Sequence, residues 1–325
     1  MSVYLTIKKL FFGSIITLLI ASSCSQHNKN THGGLLWEIT ANELTEPSYL
    51  FGTNHGMSGD FVDSIPGFWD AFNSAKQFAL EFDFTKPKRL DSIKPLDTHL
   101  PKNTSYPELL NEEELLVLDS TLTLLHSRVS SKEMNLVPGR LLWNLQLGLM
   151  KIESREWRKE NPYLWLVPAR KNIDSRLLKI SKFRAYPIIE LDTEEELERL
   201  GLRDMSVLFS SEKLQDRAKD MIQSIKEIEE ENLMEIAKMG MQSYYEQDLK
   251  KLEEWDNHPK ILKDKKAKSI HHTFVNQRNI FWMDKIMSSI NKQSTFIMVG
   301  VAHLPGKEGI INLLRKEGYN VNPIN

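Results

Sequence analysis

Cysteine is almost absent from this chain: Cys24 is the single one in 325 residues. One sulfur excludes an internal disulfide, a thiolate zinc cage and an iron–sulfur cluster within the monomer, because each needs several. Any metal bound here must be held by nitrogen and oxygen. An excess of charge of one sign is also missing, with 42 Lys and Arg against 44 Asp and Glu for a net charge of −2. Without a basic excess to hold a phosphate backbone, nucleic acid is not an expected partner. Long apolar runs are confined to Leu10–Ala21, which is too short to span a bilayer as a helix. The sequence also lacks an HExxH helix, a GxSxG nucleophile elbow, a Walker loop and a GxGxxG fingerprint. Serine hydrolases and nucleotide enzymes are therefore poor matches. No short-period repeat suggests a solenoid.

The N-terminus reads as an address. Lys8 and Lys9 precede the apolar run, and Ala21-Ser22-Ser23-Cys24 follows it, as expected of a signal peptide over residues 1–23. The last four residues resemble a bacterial lipobox, cleaved before Cys24 and lipidated on its sulfur, and the alternative is an ordinary secreted protein with a free thiol. Lipid on two or more chains would hold the protein to a membrane. Residues 24–34, including SQHNKNTHGG, then form a polar tether. Ser25 suits delivery to the outer membrane, so the expected location is the cell envelope, facing the periplasm.

Residues 35–325 are long enough for one large α/β domain. LLWEIT and YLFG read as a hairpin of strands, Ile65–Lys76 as a short amphipathic helix and QFALEFDF as a strand. Helices are expected at Leu109–Ser127 and Gly139–Trp157, and Asp174–Ile180 leads into the strand AYPIIE. Between Ser211 and Trp255, Leu214, Ala218, Met221, Ile225 and Ile228 recur at helical spacing. An intramolecular helical hairpin explains this better than a coiled-coil dimer seam, because fewer than three clean heptads are present. A helix near Ile270–Ile290, the apolar strand STFIMVGVAH, a helix over Lys307–Lys316 and the strand YNVNPI complete the chain. The expected class is α/β, with a mixed or mostly parallel central sheet flanked by helices and a helical insertion at about 201–268.

Two distant segments share one pattern. YLFGTNH places Gly52 three residues before His55, and IMVGVAH places Gly300 three residues before His303. Each follows an apolar strand, and in open α/β sheets ligands sit beyond the carboxyl ends of strands. Glu81 is a carboxylate inside an otherwise apolar strand, with Asp83 at period two, and burying it requires a partner. Glu190 and Asp192 repeat that spacing after YPII, although an acid there can simply cap the helix that begins near Thr193. Arg278 falls on the apolar stripe of its helix, placed to hold a substrate carboxylate, to neutralise Glu81, or to lie over the core. Two imidazoles with one or two carboxylates would suit a divalent Zn, Mn, Co or Fe ion that polarises a carbonyl and acidifies bound water. Asn54 and Asn279, beside His55 and Arg278, are candidate substrate-binding residues. His27, His32, His99, His126, His258, His271 and His272 carry no such context.

LLWEI, YLFGTNH, FALEFD, the QRN of Gln277–Asn279 and FIMVGVAHLPGKEGIINLLRKEGYNVNPI together resemble the TraB/PrgY/GumN family. That family is characterised by two GxxH motifs and a glutamate after the first, matched here by His55, His303 and Glu81. Its animal TIKI relatives are metal-dependent proteases, and more distant relatives include erythromycin esterases and haem-binding ChaN proteins. One departure is LDTEEEL, Leu191–Leu197, where the family shows Leu-Glu-Thr leading to Glu-Gln; Asp192 and Glu196 take those places here.

The resemblance implies a membrane-tethered, metal-dependent hydrolase acting on peptides or small molecules. His55, His303 and Glu81 would ligate the metal or position its water, Arg278 would hold substrate, and Glu190 or Asp192 would complete the ligands or act as base. The alternatives are a metal-free, esterase-like hydrolase, a binder of a peptide signal or haem without turnover, and a scaffold that docks a partner through the helical insertion.

Overall fold

Strand alternation divides the apolar residues of this chain between two faces of one sheet. The computed structural model describes residues 33–83, 85, 99–153, 155, 159, 167–200, 213–230, 233–262, 268–269 and 271–324. Its strands are β1 (Leu36–Thr40), β2 (Ser48–Thr53), β3 (Gln77–Leu80), β4 (Ile188–Glu190), β5 (Thr295–Gly300) and β6 (Asn320–Pro323), in the order β4-β3-β5-β2-β1-β6. Leu36, Tyr49, Phe51, Phe78, Leu80, Phe296 and Met298 face one core, whereas Trp37, Ile39, Leu50, Ala79, Ile297 and Val299 face the other. Both faces are therefore covered, as the uninterrupted apolar run of β5 requires.

The helices, in chain order, are α1 (Phe68–Ser74), α2 (Tyr106–Leu109), α3 (Glu112–Leu124), α4 (Pro138–Glu153), α5 (Ile173–Phe183), α6 (Glu194–Arg199), α7 (Leu214–Glu230), α8 (Leu233–Tyr245), α9 (Leu249–Asp256), α10 (Arg278–Lys292) and α11 (Ile310–Lys316). Helices α1 and α5 cover the first face with Met241 and Tyr244 of α8, while α10 and α11 cover the second. On the first face Phe296 meets Phe68 and Phe72 edge-on, with ring centroids 5.5 and 5.2 Å apart. Each such pair contributes about 0.5–1.5 kcal/mol beyond area burial.

The pairing decides where the site can be. β2–β5, β3–β5 and β3–β4 are parallel, with Thr53 opposite Gly300, Leu80 opposite Met298 and Leu80 opposite Glu190. The chain thus leaves β2, β3, β4 and β5 on one edge of the sheet. The two other pairings, β1–β2 and β1–β6, are antiparallel, so the sheet is mixed.

Several elements differ from their sequence expectation for local reasons. Pro66 forces Ile65 into an extended conformation (φ −89, ψ 117), which ends a 3₁₀ turn over Gly59–Ser64, and within the stretch 65–76 the helix α1 begins only after Gly67 at φ 67. Asn111 divides the next helix, because its side chain accepts from Glu114 N while Glu114 reaches back to Asn111 N. Before α10 the backbone widens into a π-helical segment, His272–Gln277. The stripe on α7 is neither a dimer seam nor chiefly half of a hairpin: Ala218, Met221, Ile222 and Ile225 are buried with Tyr106, Leu118, Leu122, Leu141 and Leu145 of α2, α3 and α4. Helices α8 and α9, within the described part of the expected insertion, pack on the sheet, where Tyr244 Oη donates to Gly52 O at 2.9 Å. Among the described residues no helix is long and apolar enough to cross a membrane. The expected signal peptide, Cys24 and most of the tether lie outside the described residues.

Candidate functional site

Glu81 is the first residue beyond β3, and both of its oxygens are engaged. Oε1 accepts from Gly300 N at 2.8 Å, and Oε2 accepts from Arg278 Nη2 at 2.6 Å. A Cβ at Gly300 would stand 3.4 Å from Glu81 Oε1 and 3.5 Å from His303 Cδ2, in ordinary contact with both, so this glycine borders the site without the hydrogen bond depending on it. Arg278, the first residue of α10, also binds Asp192 through Nη2 at 2.9 Å and Nε at 3.3 Å, and Trp282 Nε1 donates to the same carboxylate at 2.9 Å. Its guanidinium lies over the Trp282 ring, 4.5 Å from the centroid. One cation thus serves two buried carboxylates, which is the neutralising role among the three that the sequence allowed.

His303 is buried in the short turn after β5, against Trp282. Its tautomer follows from hydrogen-bond accounting. Asn279 Nδ2 donates to His303 O at 3.2 Å and to Glu308 O at 2.8 Å, which leaves Oδ1 to accept from His303 Nδ1 at 2.7 Å. The other nitrogen, Nε2, therefore presents its lone pair to the site, 3.8 Å from Glu81 Oε1 and 3.5 Å from Arg278 Nη1. Burial holds this imidazole at a pKa of about 4, so it is neutral near pH 7. Burial pushes the Glu81 carboxyl upward, but Arg278, His303, His55 and the Gly300 N–H outweigh it and hold Glu81 at about 2.

His55 follows β2 and has the opposite setting. Its side chain is 68% exposed, and Nδ1 donates to Asp174 Oδ2 at 2.9 Å. Thr53 Oγ1 donates to the other oxygen of Asp174 at 3.1 Å, and Asn172 Nδ2 donates to His55 O at 3.0 Å. The Asp174 carboxylate raises the His55 pKa to about 9, so this imidazole is charged near pH 7. Asn54 Oδ1 accepts from Gly56 N at 2.9 Å and so shapes the turn that carries His55.

These settings predict an acid-sensitive fold. His303 takes up a proton at 6.5 when unfolded but only at about 4 when folded, so the unfolded chain binds more protons in between and stability falls as pH drops through that window. Glu81 extends the loss from 4.5 down to about 2, whereas His55 acts at the other end, its stabilisation fading as pH rises through about 9. Urea unfolding across pH 7 to 4 should show a slope that flattens in His303→Gln, and an unchanged slope would refute this assignment.

Not every candidate joins the site. β3 ends at Leu80, so the period-two face does not continue to Asp83, which instead pairs with Lys182 at 2.7 Å. Glu190 Oε2 accepts from Asp83 N at 3.1 Å, and Asp192 is the acid that reaches Arg278. The helix after β4 is capped by neither: Thr193 Oγ1 accepts from Glu196 N at 3.1 Å, and Glu196 Oε2 accepts from Thr193 N at 2.9 Å. Asp174 escaped the sequence reading. Its signal was a carboxylate on the buried stripe of α5, in register with Leu177, Leu178 and Ser181.

The expected metal set does not fit as placed. Among the described residues no three His, Cys, Asp or Glu side chains come together closely enough to hold one ion. The cation faced by Glu81 and His303 is the Arg278 guanidinium, and His55 Nδ1 is turned to Asp174.

Comparison with curated proteins and with solved structures returned no match. The model of the TraB/PrgY/gumN family matches residues 35–323, a span that includes both strand-end histidines, Glu81 and Arg278. The chain belongs to the TraB/PrgY/gumN family.

Proposed function

We propose that this protein is a hydrolase of carbonyl-centred bonds, with peptides as its substrate class, and that it works by paired acid and base histidines. The observation that carries the reading is the opposite setting of two imidazoles around one ionised carboxylate: His303 neutral with Nε2 facing Glu81, and His55 charged on Asp174. Environments that drive two titrating groups apart assign an acid and a base. The 3.8 Å between His303 Nε2 and Glu81 Oε1 lets one water hydrogen-bond to both. That water attacks the carbonyl carbon while His303 Nε2 takes its proton. His55 Nε2–H gives a proton to the departing nitrogen or oxygen as the carbon–heteroatom bond breaks. Arg278 keeps Glu81 ionised and in place.

A test follows turnover of a mixed peptide pool by the full chain. His303→Ala and His55→Ala are each expected to lower the rate by about 10²–10⁴-fold with far-UV circular dichroism unchanged. Wild-type turnover is expected to survive a chelator. Full activity in either variant, or no product from wild type, would overturn the reading. One observation favours a second reading: Asn279 orients His303 as an outer partner orients a metal-bound imidazole. Loss of turnover on chelation, with recovery on adding Zn, Mn, Co or Fe, would replace the metal-free scheme.

A further inference from the structure

The turn that carries His303 has a second side, where Ala302, Pro305 and Gly306 join Glu253, Asp256 and His271 around a cavity of about 420 Å³. That is room for a small ligand or the end of a chain. The cavity is linked to the reaction centre through the chain, although none of His55, Glu81, Arg278 and His303 lines it. Ala302 directly precedes His303, and Glu308, another lining residue, accepts through its carbonyl from the Asn279 amide that fixes the His303 tautomer.

Its charges are unevenly satisfied. His271 Nε2 lies 2.6 Å from Asp256 Oδ2, and His272 Nδ1 lies 3.7 Å from Glu308 Oε2. Glu253 is half-buried, and among the described residues nothing bonds to its carboxylate. Its Oε1 hangs over Gly306, whose φ is +85, and a Cβ there would stand 3.7 Å away. A carboxylate held partly out of water without a partner favours a cation that brings its own hydrogen-bond donors. A protonated amine does so with three N–H groups. Lys307, on the same wall, suits carbonyl oxygens farther along the ligand.

We propose that this cavity is an end-group subsite that takes the α-ammonium of a free peptide N-terminus on Glu253, with the chain running from there toward His303. The protein would then act on peptides near an unblocked amino end. The substrate assignment rests on the hydrolase reading, but binding at the subsite does not.

Calorimetric titration of the full chain with Ala-Ala-Ala and with N-acetyl-Ala-Ala-Ala tests it. Wild type is expected to bind the free peptide at least about tenfold more tightly than the acetylated one. Glu253→Gln should erase that preference while leaving affinity for the acetylated peptide unchanged. Equal affinity for the two peptides in wild type, a preference that persists in Glu253→Gln, or no binding of Ala-Ala-Ala would each overturn the subsite. The two claims fail separately. Glu253-dependent binding without turnover refutes the hydrolase and keeps the subsite, whereas turnover indifferent to acetylation keeps the hydrolase and refutes the assignment of that amino end to its substrate.

Discussion

Arg278→Ala is expected to lower the unfolding free energy by about 3–5 kcal/mol, the usual result of removing one member of a buried ion pair. Its two carboxylate partners are nearly sealed, with side-chain exposures of 12% for Glu81 and 3% for Asp192, so water cannot replace the guanidinium. Left without it, the two acids repel each other in a medium that solvates neither, and each is driven toward its protonated form. Glu81→Gln should be milder, because Arg278 keeps its bonds to Asp192 through Nε and Nη2. Arg278→Lys should lie close to the alanine variant, since one ammonium cannot reproduce a planar fork that meets both acids and Phe274 O. Urea midpoints at pH 7 order the set. A midpoint for Arg278→Ala equal to that of wild type would show that this cluster contributes nothing to the fold.

Asp174→Asn is expected to shift the alkaline limb of the rate profile rather than abolish turnover. With the carboxylate gone, the pKa of His55 should fall from about 9 toward its ordinary 6.5. At pH 8 the protonated fraction of His55 would then drop about 30-fold, and kcat/KM with it, while rates near pH 5.5 stay close to wild type. The acid limb belongs to His303 and should remain near 4 in the variant. A profile that falls uniformly across pH would show that Asp174 does something other than charge His55.

Much of this site was legible in the sequence because strand and motif coincide. The apolar runs before Gly52 and Gly300 marked two strands, the second uninterrupted as a parallel strand is, and β2 and β5 are parallel neighbours with Thr53 opposite Gly300. Glu81 stood out as a charge in an apolar segment, and Arg278 as a charge on an apolar helix face; the two meet at 2.6 Å. What sequence could not supply was the length of β3. Because the strand stops at Leu80, Asp83 leaves the face that alternation assigned to it and pairs with Lys182. The role of Asn279 was equally hidden, since its grip on His303 depends on where Glu308 O and His303 O lie in the turn after β5. Asp174 is legible only from the stripe of α5, where it lines up with Leu177, Leu178 and Ser181 once the helix is seen to begin at Ile173.

The strand order has a consequence for how the chain matures. β5 lies between β2 and β3, although it is the fifth of six strands in sequence. Until residues 295–300 have been made, β2 and β3 have no common neighbour, and each presents an unpaired edge to other chains. A growing polypeptide therefore carries His55 and Glu81 on strands without a common partner, and β5 joins them while delivering His303. Assembly and acquisition of the site become the same event, so a chain that emerges N-terminus first stays without its chemistry until residues 295–303 have been synthesised.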